Sequence, residues 1–387
     1  MFKKVLYIIL LLILCCLGYP GMVRAADEEL NLPQAQLDNL DLSVLETYLA
    51  QVDRDVGEYL PNMDLENLVD NFRQGNLQLS LAGFFSGLLK FLLREILANS
   101  SLLGILIILA VLYAVLENIH AAFSTSSIGQ ITFWVCGLAL LTIALGSFTL
   151  TVGIARETID KMVNFFNSLL PVLVTMIVSI GHVTSAALLS PLTVASTAFF
   201  SNLINQVVIP LIFISTVLYL LDHISDRFKV SYLAKLCKDV ALGIIGLSLT
   251  IYIGVLSLQG MAGEVTDGVT METAKFATGS FIPIVGKLLS DALEVVVGTS
   301  LLIKSGVSIL GILLITLICV FPMLKILSVV IIYRTAAAFV QPFGAKQIAE
   351  ALHTIANCLL LVFGAVASTG VMLFIALSIL VKVGRPF

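Results

Sequence analysis

The stretch TGSFIPIVGKLLSDALE, residues 278–294, lies between long apolar runs and gathers Gly279, Pro283 and Gly286, then Lys287, Asp291 and Glu294. Glycine and proline interrupt helices, and charged groups are costly in hydrocarbon. How a largely apolar chain accommodates this cluster decides its fold. Lys287, Asp291 and Glu294 are spaced i, i+4, i+7, so a helix beginning at Pro283 carries all three on one face. Proline suits a helix start, where its missing N–H leaves no bond unmade. Lys287 and Asp291 can pair at i, i+4, although acid before base is the stronger order.

Composition places that helix in a membrane. Of 387 residues, 59% are hydrophobic and 12% charged, against about 25% charged in soluble domains; the mean hydropathy is +1.06. An all-α, polytopic integral membrane protein follows. Apolar runs near 101–116, 131–152, 203–221, 240–258 and 354–381 read as five clear spans, and 305–333 is a further long apolar run. The proline-bearing regions 165–200 and 278–294 either cross or re-enter, which gives about 5–7 transmembrane helices. The net charge of −4 carries no nucleic-acid signature.

The N-terminal end has Lys3 and Lys4, an apolar run over 5–17 and Val23-Arg24-Ala25, the pattern of a signal peptide over residues 1–25. Residues 26–80 form an acidic helical region, with twelve Asp or Glu against Arg54 and Arg73. Such a segment is readily translocated, so it is expected outside the cytoplasm. Residues 81–97 read as an amphipathic interfacial helix, and 98–387 as the multi-span membrane domain. The loop 222–239, with Arg227, Lys229, Lys235 and Lys238, is expected in the cytoplasm. If both proline regions re-enter, a tail with Lys382 and Arg385 ends outside, against that rule.

An offset of 112 residues superposes Ser168 on Ser280, Pro171 on Pro283 and Pro210 on Pro322 without a gap. Two repeats, 131–238 and 240–350, are therefore expected, as in many transport proteins. Thr175, Ser179 and His182 then match Lys287, Asp291 and Glu294, so each repeat carries a polar stripe on one helix face. Pro171, Pro283 and Gly286 are the expected helix breaks. Three environments suit the stripe: a water-filled cavity, the membrane surface, or a buried ion pair that fixes packing.

No catalytic or cofactor-binding pattern stands out. GSFIPIVGK has six residues between its glycines where a P-loop has four, and Leu288 replaces Ser or Thr. His120, His182, His223 and His353 are scattered, and no CxxC pair exists, so no metal site is indicated. No serine is paired with a base, and the chain reads as non-enzymatic.

Two segments, FFNSLLPVLVTMIVSIG (165–181) and ATGSFIPIVGKLLSDALE (277–294), within this order of features, resemble the stage III sporulation protein AE family of endospore-forming bacteria. The resemblance implies a part in endospore formation, in the mother-cell membrane that surrounds the forespore. It also implies a multiprotein, channel-like assembly with a cytoplasmic ATPase and ring-forming membrane proteins. No catalytic residue is carried over. A stand-alone transporter of a small solute or ion, or a purely structural scaffold, remain alternative readings of the same residues.

Overall fold

The computed structural model describes residues 43–57, 81–122, 127–224, 229–281 and 285–383. The expected signal peptide and most of the acidic region lie outside them. The described residues are helical throughout, without a strand. In chain order the helices are α1 Ser43–Val56, α2 Leu81–Ala98, α3 Ser100–Ala122 and α4 Ser127–Ser179. Next, α5 Val183–Leu203 passes through a π turn, Ile204–Val208, into α6 Ile209–Ile224. Then come α7 Ser231–Phe281, α8 Val285–Val340, a 3₁₀ turn Gln341–Phe343 and α9 Lys346–Lys382. Five helices are long and apolar enough to cross a membrane, or up to six if α2 and α3, bent by 45° at their junction, count as one span.

The helices are longer than hydropathy suggests. The apolar run 131–152 and the first half of 165–200 belong to the single helix α4. The polar residues between them change solubility, not conformation. Glu157 and Lys161 pair at i, i+4 with 2.9 Å between them, and Thr158 bonds back to the Ile154 carbonyl at 2.7 Å. Both fit an unbroken helix.

Pro171 does not break α4, contrary to expectation. It sits on an exposed face, and α4 ends two turns later. There Gly181, at φ 88, adopts the left-handed conformation that glycine tolerates best. Its N–H donates to Val178 O at 2.9 Å and that of His182 to Ile177 O at 3.1 Å, the pair of bonds of a Schellman stop. Gly286 also lies inside a helix, as the second residue of α8. Pro283 is outside the described residues, between the end of α7 at Phe281 and the start of α8 at Val285.

The π turn before α6 has a local cause. Pro210 has no N–H for the carbonyl four residues back, and its ring crowds that carbonyl. The chain widens instead, and Ile209 donates to Ile204 O.

The second long hairpin is closed by a side chain. Asp222, near the end of α6, accepts from the N–H groups of Val230 and Ser231 at 2.8 and 3.0 Å. It therefore caps α7 from across the turn, satisfying donors that a helix start leaves open.

At the centre stands α9, buried along most of its length from Ile348 to Val381. α8 runs antiparallel to it, and α4, α6 and α7 also pack on it. A helix apolar on all sides is a core helix. Outward-facing Leu150, Ile108, Leu247 and Phe199 give the bundle an apolar exterior. Close approach rests on small residues, as in other membrane bundles. A Cβ added at Gly370 would come within 2.8 Å of Cys319 Sγ, and one at Gly311 within 2.5 Å of Leu169 Cδ2.

Gly370→Leu is therefore expected to force α8 and α9 apart and to destabilise the bundle by about 1–3 kcal/mol. Thermal aggregation of the purified protein in detergent measures this; an unchanged midpoint would contradict the packing.

Candidate functional site

The first polar stripe can be placed. Thr175 and Ser179 lie on the exposed outer face of α4. Each hydroxyl donates to its own helix, Thr175 to Val172 O and Ser179 to Thr175 O, both at 2.8 Å. His182 is half-buried at the N-cap of α5, so the turn at Gly181 separates it from the helix that carries the other two. Lys287, Asp291 and Glu294 belong to α8, but their side chains lie outside the described residues.

A different polar cluster emerges halfway along the bundle. Arg156, Glu157, Asp160 and Lys161 lie in the middle of the apolar stretch Gly137–Ser179 of α4. Asp160 accepts from Asn205 Nδ2 at 2.9 Å, and the π turn is what carries Asn205. π turns of this kind recur at functional sites. The other amide atom, Asn205 Oδ1, is buried without a hydrogen-bond partner, as is Asn167 Oδ1 two turns along α4.

Across from α4, α8 brings Pro322 and the exposed Lys325 to this region. Lys325 Nζ stands 6.0 Å from the Phe91 ring centroid on α2, and Phe91 packs edge-on against Phe321 at 4.9 Å. From α1, Tyr48 meets Phe165 of α4 edge-on, also at 4.9 Å. Between α1, α4 and α8 lies a cavity of about 80 Å³, with Lys161 and Lys325 in its wall.

A buried cation sits toward the other end of α8. Lys304 is 1% exposed and its ammonium donates to the Val383 carbonyl at the C-terminus of α9. A cation there satisfies a carbonyl that the helix leaves open and lies at the negative end of the helix dipole.

Between these two levels the bundle carries no charge. Residues 305–324 of α8, 162–179 of α4 and 240–261 of α7 contain no Asp, Glu, Lys or Arg. Each is roughly the 20 residues that cross a bilayer. The contacts put them side by side: Gly370 of α9 lies against both Cys319 and Met162, and Gly311 against both Leu169 and Leu377. Beyond the charged level, α8 and α9 are joined again by Arg334, which donates to Asn357 Oδ1 at 3.3 Å.

Neither lysine pair was singled out from sequence. The signal was present in the spacing of Lys304 and Lys325 around 305–324, but the length of the apolar run to 333 obscured it. The cavity itself, built from three helices far apart in sequence, has no local signature.

These features define an α-helical, multi-pass membrane protein. The sequence model of the stage III sporulation protein AE family matches residues 63–384. Stage III sporulation protein AE of Bacillus subtilis (strain 168) is 33% identical over 393 residues, which cover 99% of this chain and 98% of that protein. The chain belongs to the stage III sporulation protein AE family, and that membership supports a role in sporulation. No solved structure matches it.

Lys304→Leu is expected to leave the Val383 carbonyl without its buried partner, a loss of about 1–3 kcal/mol. A single cysteine at position 383, buried in the parent, should then react several-fold faster with a thiol reagent. An unchanged rate would show that the lysine does not hold this end of α9.

Proposed function

We propose that the chain is a membrane subunit of a channel or secretion-like assembly linking mother cell and forespore, permease-like and non-enzymatic. It sits in the mother-cell membrane around the forespore. Its partners are a cytoplasmic ATPase and ring-forming membrane proteins. Family membership supports the sporulation part of this reading.

The observation that carries the rest is helix length. Four of the five candidate spans are 37 to 43 residues long, roughly 55–65 Å at 1.5 Å per residue, whereas the hydrocarbon core is about 30 Å thick. Such a body stands well clear of the bilayer on at least one side and offers rigid helical ledges to partner proteins. A solute carrier working alone has no need of that overhang. In this reading, the stripe of Lys287, Asp291 and Glu294 faces water at the mouth of the transport path, beyond the charge-free layer that begins after Lys304.

Two experiments test the proposal. Affinity capture of the full chain from sporulating cells, after mild crosslinking, is expected to bring down the ATPase and the ring-forming proteins. Recovery of the chain without them, together with solute uptake by liposomes holding it alone, would favour the stand-alone transporter. Asp291→Leu is expected to block spore maturation while the protein still accumulates in the membrane. Normal spore yield would remove Asp291 from the path.

A further inference from the structure

The cavity between α1, α4 and α8 combines features that belong to one kind of ligand. Lys161 and Lys325 stand in its wall, Tyr48 and Gln51 of α1 add a hydroxyl and an amide, and Leu317 and Phe321 of α8 continue it. The polar groups and the apolar ones are not mixed at random. Lys325 follows the charge-free segment 305–324 of α8, and Lys161 precedes the charge-free segment 162–179 of α4. Leu317 and Phe321 lie within the former, one to two turns below Lys325. The cavity therefore has a cationic rim and an apolar floor that runs into the lipid-spanning layer.

Charge at the rim is unbalanced. Lys161 has Glu157 at 2.9 Å, with both side chains well exposed. Asp160, the next acid along α4, is engaged by Asn205. Lys325 faces the aromatic ring of Phe91, and no acid lines the cavity. Glu157 and Asp160 thus stand against Arg156, Lys161 and Lys325, an excess of one positive charge that leaves room for one further negative charge.

We propose that this cavity binds the headgroup of an anionic phospholipid. The phosphate lies between Lys161 and Lys325, where two ammonium groups give charge-assisted bonds. The glycerol oxygens lie toward Tyr48 and Gln51. The acyl chains leave the cavity at its open side, since Phe321 and Leu317 are buried and close its floor. The volume, about 80 Å³, suits a phosphate and not a whole lipid; the chains lie outside it against the apolar exterior. The site also explains how α1, whose opposite face carries Arg54 and other exposed polar groups, is held against a membrane bundle. The lipid bridges α1 to α4 and α8.

The test uses the purified full chain in a mild detergent. Retained lipid is read by native mass spectrometry and thermal stability by aggregation. Phosphatidylglycerol is expected to stay bound and to raise the midpoint. Lys161→Gln with Lys325→Gln should reduce retention roughly tenfold or more, as expected when two cations near an anionic lipid are lost. Lys161→Arg with Lys325→Arg should keep it, and so should Lys235→Gln with Lys238→Gln, which removes two cations of α7 that do not line the cavity. Lys325→Gln alone, at an exposed position, should give a partial loss and keeps the test valid if the double variant misfolds. Equal retention of phosphatidylcholine would overturn the proposal by showing ordinary boundary lipid. Equal stabilisation by inorganic phosphate at the same concentration would overturn it in favour of a free-anion site. Undiminished retention by Lys161→Gln with Lys325→Gln, or by Lys325→Gln alone, would overturn it outright.

Discussion

Everything in this bundle depends on the close approach of α8 to α9. Apolar side chains gain nothing by leaving lipid for one another, so helices in a membrane are held by packing and by the few hydrogen bonds that cross between them. Gly370 and Gly311 remove the side-chain bulk that would keep α9 from its neighbours. Arg334 to Asn357 at one end and Lys304 to Val383 at the other pin the two helices in register. With α9 fixed, α4, α6 and α7 have a cylinder to close around. Cross-links such as Tyr333 to the Ala144 carbonyl, at 2.9 Å, and Thr197 to Tyr252, at 2.9 Å, then hold the outer helices at defined heights.

The heights matter because the helices outrun the bilayer. A helix over-long for its lipid usually tilts, but 43 residues in α4 are about twice what any ordinary tilt absorbs. The charged group at Arg156–Lys161 marks where lipid contact is least tolerable. It coincides with the π turn at Asn205, with Lys325, and with the packing of Tyr48 of α1 and Phe91 of α2, so the same level is marked by charge and by backbone irregularity.

Fold class was legible from composition because hydropathy reports burial in lipid directly. Helix ends were not. Hydropathy shows where apolar character stops, and at 153–164 it stops while the helix continues, since Glu157, Thr158 and Lys161 all tolerate helical backbone. Proline misled for the opposite reason. Pro171 reads as a break in water, but in a membrane helix the freed carbonyl is tolerated, and the real stop was the less conspicuous Ile180-Gly181. The 112-residue offset pairs Pro171 with Pro283, yet α4 ends beyond its proline, so similar sequence does not guarantee matching helix ends. The polar stripe was legible as a pattern, but its first half is distributed over two helices. Lys161 and Lys325 lie far apart in sequence, on α4 and α8, and only the packing of those two helices brings them into one cavity.

The order of synthesis gives the α8–α9 contact a further meaning. Among the described helices, the one on which α4 to α8 all pack leaves the ribosome last. Until it arrives, the surrounding helices lack the surface on which they close, and Lys304 lacks the Val383 carbonyl to which it donates. The nascent protein is thus held in an open state that closes only once α9 has emerged.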